Sequence, residues 1–219
     1  MNFCGFWVSL VIVLFSSTSA NALRVGYFTG TFDPPHASHV DTVARAIEHG
    51  RLDIVYIEAT LAEHKPNALP YEERIKMMGY AFRDVPEVRR VPDSVLRHVL
   101  KDANIAAFKE LLGIHKNDEF FRILGSDKFT SETVLRMEGT GLQYVVNVRE
   151  ALDLEAPYAQ TVLKRKGTVI LPPALFQTSS TDIRMEAKRG RRHEHLDPEI
   201  YKRVVSLGGY MFPICKSLL

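Results

Sequence analysis

From residue 23 onward the chain alternates short apolar runs with stretches of helical periodicity, and this alternation restricts the fold more than any other feature of its 219 residues. Leu23 to Phe28 reads as a strand, closed by Gly30 and by Asp33-Pro34-Pro35. From His36 to His49 the apolar Val40, Val43, Ala44 and Ile47 recur at three- and four-residue steps, and Gly50 ends the run, so a helix is expected. Leu52 to Ile57 supplies a second strand, and a strand-helix-strand unit of this kind crosses over right-handed. Tyr71 to Phe82 reads as a helix, Val88 to Val91 as a short strand, and Val95 to Leu112 as one helix or two. Further strands are expected at Phe120 to Leu124, Leu142 to Val148 and Thr168 to Leu171, where Pro172-Pro173 stops the last. Strands alternating with helices imply an α/β domain, a parallel sheet with helices on both faces. Beyond Leu171 only helices are expected, Thr181 to Lys188 and Pro198 to Leu207, as a small C-terminal helical subdomain.

The first 22 residues stand apart. Met1 to Ala22 carries no charged side chain, and Phe3 to Phe15 is almost wholly apolar, the length of a signal-peptide core and short for a membrane span. The stretch Ser16 to Ala22 ends in a small-x-small pattern, which places cleavage before Leu23 and a 23–219 domain after it. The segment is expected to export the chain, to the periplasm in a two-membrane cell, or to act as an N-terminal anchor. No Lys or Arg precedes it, so a cytoplasmic protein stays the alternative. Beyond this segment no membrane partner is expected. Cleavage would leave Cys215 as the single cysteine, and no intramolecular disulfide could form. A net charge of +2, from 28 Lys and Arg against 26 Asp and Glu, gives no reason to expect a nucleic-acid partner.

Ligands of open α/β sheets bind at the carboxyl ends of the strands, where helix N-termini turn free N–H groups toward anions. The first strand ends in such a place, as Gly30-Thr31-Phe32-Asp33-Pro34-Pro35-His36-Ala37-Ser38-His39. Gly30 lets the backbone approach a phosphate, the prolines stiffen the turn, and His36 and His39 fall on one helix face. Far downstream, Thr178-Ser179-Ser180-Thr181-Asp182-Ile183-Arg184 offers hydroxyls that cap a helix and an arginine that can grip phosphate.

These two segments, about 140 residues apart and in this order, resemble the signatures of the nucleotidylyltransferase superfamily, nearest to nicotinate mononucleotide adenylyltransferase. His64-Lys65-Pro66, Leu124-Gly125-Ser126-Asp127 and Leu207-Gly208-Gly209-Tyr210 extend the resemblance over 23–219. It implies a Rossmann-like fold that joins ATP to a mononucleotide with release of pyrophosphate, in NAD biosynthesis. His36, His39, Lys65 and Arg184 would be catalytic, the histidines as stabilisers of transition-state charge. Gly30, Thr31, Phe32, Ser38, Gly125, Asp127, Ser179, Ser180, Thr181 and Ile183 would bind nucleotide, with Asp127 on the nucleoside and the backbone of Gly30 and Thr31 on the acceptor's phosphate. Mg²⁺ would arrive with ATP and take no ligand from the protein. The implied partners are ATP and a phosphorylated small-molecule acceptor, and a homo-oligomer stays open.

Two departures qualify the expected chemistry. Ser38 stands where the family has glycine, and its side chain is expected to crowd ATP. The segment Lys128 to Leu135 lacks the aromatic pair of nicotinate-binding relatives, and Ala103-Asn104-Ile105 replaces their Ser-Tyr-Thr. Rivals follow: transfer of adenylyl or cytidylyl groups to another phosphorylated acceptor, or a nucleotide-binding protein of the same fold with weakened catalysis. A transition-metal site on His36, His39 and Asp33 is a more remote alternative.

Overall fold

The computed structural model describes residues 22–63, 65–93, 95, 105–128, 142–148, 157–174, 176–208 and 210. Six strands form one parallel sheet: β1 (Arg24–Gly30), β2 (Ile54–Ala59), β3 (Val88–Arg90), β4 (Glu119–Gly125), β5 (Gln143–Asn147) and β6 (Val169–Ile170). Their order is β3-β2-β1-β4-β5-β6. The chain runs outward from β1 to β3 and resumes on the other side of β1 at β4. The ends of β1 and β4 therefore bound the crevice where such sheets take their ligands.

Each face of the sheet carries its own core. Helices α1 (Ala37–Gly50) and α2 (Tyr71–Ala81) cover one face, with Val43, Ala46 and Met78 against Phe28, Val55, Ile57, Phe121, Ile123 and Val145. The other face presents Val25, Tyr27 and Phe120 to Phe108 of α3 (Ile105–Leu111). Further along it, Leu124, Tyr144 and Val146 meet Ala159 and Val162 of α4 (Pro157–Leu163). Along β4 the period-two alternation sends Phe121 and Ile123 to the first face and Phe120, Arg122 and Leu124 to the second. A smaller apolar cluster joins Met77 of α2 to Ile183 of α5 (Ser180–Lys188), to Leu196, and to Ile200 and Val204 of α6 (Pro198–Ser206).

The expected elements are present where they can be described, each shifted by three residues or fewer at its ends. The helix α4 has no counterpart among the expected elements: Ala159 and Val162 are its buried residues among those described, and seven residues give too little periodicity to read. Of the helix expected over 95–112, only Val95 and 105–112 fall among the described residues. The leader segment (all but Ala22), His64 and the aromatic-poor stretch 129–135 lie outside them. No described helix is long and apolar enough to cross a membrane.

The C-terminal helices begin where sequence chemistry starts them. Ser179 caps α5: its Oγ accepts the Asp182 N–H at 3.1 Å, and Asp182 accepts the Ser179 N–H at 3.3 Å. Asp197 caps α6 through the Glu199 N–H at 2.7 Å, with Pro198 at the first helical position.

Candidate functional site

Beyond β1 the chain turns through Thr31 to Pro35 and enters α1 at its N-cap, His36. Phe32 has a left-handed backbone (φ 49°) that folds its ring under Gly30, where a Cβ would meet it at 3.3 Å. Gly30 is thus needed by the loop's own packing as well as for close approach of a ligand. His36 is 4% exposed, and its ring lies 3.8 Å from that of His39. His39 Nδ1 accepts the His36 N–H at 3.3 Å, which leaves Nε2 as the nitrogen carrying hydrogen in the neutral ring. The edge of Phe32 holds the His39 ring from a second side at 4.9 Å.

The C-terminal signature closes onto this loop through four bonds. Ser38 Oγ accepts the Thr178 N–H at 3.0 Å, and Ser180 Oγ donates to Pro34 O at 3.1 Å. Arg184 donates to Asp33 O at 2.7 Å, and Tyr210 OH to Asp33 Oδ1 at 2.8 Å. Asp33 is buried and also accepts the Leu69 N–H at 3.1 Å. Its carboxylate is committed to holding the loop. That removes it as a third metal ligand beside the histidines, and no group of three His, Cys, Asp or Glu suited to a metal occurs among the described residues.

Two cavities meet at His36 and His39. The first, about 310 Å³, reaches from these rings past Ser38 and Thr42 to Asn147, Phe176, Thr178 and Asp182. The second, about 470 Å³, opens under Gly30, Thr31 and Phe32 toward Thr60, Lys65, Arg122 and Asp127. Phe28, Gly125, Thr178 and Ser179 line both. Each volume lies within the usual span of small-molecule sites, roughly 300–1,000 Å³.

The residues singled out in the sequence divide into four groups. His36, His39, Gly125 and Ser179 stand at the junction; Ser38 lines the first cavity; Gly30, Thr31, Phe32, Lys65, Asp127 and Ser180 line the second. Asp127 is thus in the chamber away from the one that Phe176 walls. Thr181, Ile183 and Arg184 line neither cavity. Ile183, expected to bind nucleotide, is 1% exposed inside the α2–α5–α6 cluster, where its side chain contributes about 1.5–3 kcal/mol of apolar burial. Arg184, expected to grip phosphate, donates to Asp33 O and to Thr181 Oγ1 at 2.9 Å. Ser38, expected to crowd ATP, lines the first cavity, and its hydroxyl ties α1 to the segment before α5.

Several residues of the site carry no motif. Arg74 of α2, 1% exposed, donates to the carbonyls of Thr31, Thr60, Leu61 and Leu69, fixing the floor of the second cavity. Arg45 of α1 binds Asp41, Pro172 O and Asn147 Oδ1. Asn147 in turn donates to Thr42 Oγ1 at 2.9 Å, which shapes the first cavity. Phe176 is stacked on His195 with ring centres 4.4 Å apart.

Behind the second cavity lies a buried polar cluster. Glu58 is 2% exposed and accepts the Tyr27 hydroxyl. Burial pushes its carboxyl up to about 7, partly opposed by Arg122. Burial likewise lowers Arg122 to about 10, with Glu58 acting against the shift. Because the folded pKa of Glu58 exceeds the usual 4.5, the folded chain binds a proton that the unfolded chain has lost between about pH 4.5 and 7. Stability from this group is full below that window and falls as pH rises through it. Glu58→Gln keeps an acceptor for Tyr27 and removes the charge. It should exceed the parent in stability at pH 8 by about 1–3 kcal/mol and match it near pH 5, measured by urea unfolding. The same gap at both pH values would contradict this account of Glu58.

The family model described as Cytidylyltransferase-like matches residues 27–186. A protein of Exiguobacterium sibiricum named "Probable nicotinate-nucleotide adenylyltransferase" is 28% identical over 186 residues, covering 84% of this chain and 96% of its own. One of the same name from Geotalea uraniireducens is 29% identical over 203 residues, covering 81% and 93%. The solved structure of Plasmodium falciparum nicotinic acid mononucleotide adenylyltransferase complexed with APC covers 88% of this chain and 99% of its own, with a TM-score of 0.65 at 14% identity. At that identity the likeness establishes the fold.

Proposed function

The chain belongs to the cytidylyltransferase-like family, and from that premise we propose that it is an adenylyltransferase joining ATP to nicotinate mononucleotide, with release of pyrophosphate. The observation that carries the proposal is the meeting of the His36–His39 pair with the Thr178–Ser180 segment at the junction of two cavities. A transfer between two phosphorylated substrates needs such a shared boundary. The first cavity takes the nucleoside of ATP, with the Phe176 ring, backed by His195, as a wall for the adenine. The second takes the acceptor, whose phosphate sits by Gly30, Thr31 and Lys65.

An oxygen of the acceptor phosphate attacks the α-phosphorus of ATP. The new P–O bond forms as the bond to the bridging α–β oxygen breaks, and that electron pair leaves with pyrophosphate. His36 and His39 donate to the phosphate oxygens as charge shifts to the leaving group, and no covalent bond to the protein forms. The His36 N–H bond to His39 Nδ1 holds the second imidazole in the tautomer that can donate from Nε2.

The carboxylates of the two cavities fit a magnesium ion carried by the triphosphate better than one caged by the protein. Asp182 is tied into the α5 cap, and Asp127 lines the second cavity from the turn after β4. Bound with ATP, Mg²⁺ supplies charge neutralisation to the phosphates. Export behind the Met1–Ala22 segment belongs to the same proposal and is supported by the pattern of that segment.

The test is pyrophosphate release by residues 23–219 with Mg²⁺, ATP or CTP, and a panel of phosphorylated acceptors. The proposal expects ATP with nicotinate mononucleotide to be the most productive pair. No release with any pair, alongside measurable ATP binding, would leave a nucleotide-binding protein instead.

A further inference from the structure

The second cavity has two cationic ends that perform different work. One is the loop end, where Lys65 Nζ donates to Thr31 Oγ1 at 2.8 Å. The other is Arg122. The sheet register sets Arg122 between Tyr27 of β1 and Tyr144 of β5, on the face opposite α1. Its guanidinium lies 4.6 Å over the Tyr27 ring, and Nη2 donates to Thr29 Oγ1 at 2.6 Å.

An arginine has five N–H donors, and among the described residues Arg122 uses one. No carboxylate among them is close enough to form an ion pair with it. Glu58 lowers the electrostatic cost of the Arg122 charge without forming an ion pair with it, and Glu58 Oε1 has no hydrogen-bond partner. Thr60 Oγ1, buried in the same cavity wall, has none either. Buried polar atoms are rarely left without a partner, and ordered water or a ligand supplies one where the protein does not. A half-buried guanidinium held by a ring and a hydroxyl, with its fork unspent on the wall of the cavity, is suited to a planar carboxylate.

We infer that Arg122 receives a ring carboxylate on the acceptor's base and thereby selects an acidic mononucleotide over its neutral carboxamide. This rests on the adenylyl-transfer reading, in which the acceptor's phosphate must lie beside the histidines and cannot also occupy Arg122 on the other face of the sheet. The base of the same molecule is the part left to reach it. The aromatic platform that the sequence lacks is then replaced by a charge-assisted contact.

The experiment compares nicotinate and nicotinamide mononucleotides as acceptors, with pyrophosphate release as readout, in the parent chain, Arg122→Gln and Arg122→Lys. The parent should prefer the acid. Arg122→Gln should raise KM for the acid roughly tenfold or more while KM for ATP and for the amide stay within about twofold. Arg122→Lys, which keeps the charge and loses the fork, should fall between them and serves if the glutamine variant does not fold. An equal loss for both acceptors assigns Arg122 to the phosphate or to packing and overturns the inference. So does a parent enzyme that uses the amide as well as the acid, although adenylyl transfer then stands. Absence of release with either acceptor removes the transfer reading and this inference with it.

Discussion

Replacing His36 with alanine should lower kcat for pyrophosphate release by roughly two orders of magnitude or more, while the Kd for ATP changes by less than about threefold. The expectation follows from where the ring sits. His36 is buried at the N-cap of α1, lines both cavities, and has its ring centre 3.8 Å from that of His39. From that position its hydrogen bond strengthens as charge moves from the reacting phosphate to the leaving group, so its contribution is larger in the transition state than in the bound substrate. The first cavity keeps Phe176, Thr42 and Asn147 in the variant, which preserves most ground-state contacts. Stopped-flow turnover and calorimetric ATP binding on the same preparation separate the two quantities. Comparable losses in both would mean that His36 only binds nucleotide.

Replacing Arg74 with methionine should cost about 3–5 kcal/mol of folding stability, equivalent to roughly a 10 °C fall in Tm for a chain of this size. Methionine approximates the volume and removes every donor. The carbonyls of Thr31, Thr60, Leu61 and Leu69 then lose a buried partner together, and Asp33 loses the cation that offsets its charge. Because three separate chain segments meet on this guanidinium, the damage should reach the second cavity as well. KM for the acceptor should rise more than KM for ATP. A change below about 1 kcal/mol in guanidinium unfolding would show that water or a shifted side chain takes over these carbonyls.

The parts of the site legible in the sequence are those whose meaning is local. His36 and His39 are three residues apart on one helix, so their convergence needs no knowledge of the rest of the chain. The capping role of Ser179 is likewise written in four consecutive residues. Arg74 gave no such signal: it follows Glu72 and Glu73 in a helix with four charges in six residues, and looks like a solvated face. Its burial is decided by three carbonyls from loops 5 to 14 residues away and a fourth 43 residues away. Arg122 did leave a trace, a charged residue between Phe121 and Ile123 in an otherwise apolar strand. Its significance depends on Tyr27 and Thr29, which only the sheet register brings beside it. Ile183 illustrates the opposite case: it belongs to a recognisable signature, yet its side chain serves the core. The bond of Ser38 to Thr178 leaves no trace in the sequence, because the two lie 140 residues apart.

The four bonds that close the far segment onto the first loop span between 140 and 177 residues. Sheet pairing joins β1 to β2 across some 30 residues and can form early, whereas these ties require the ends of the domain to find each other. Loop-closure entropy grows slowly with length, about 0.6 kcal/mol per doubling, yet it must be met before any of the four bonds stabilises the chain. The nucleotide pocket is accordingly expected to form after the sheet. Until then the chain can carry a nearly finished sheet and no capacity to hold its cosubstrate.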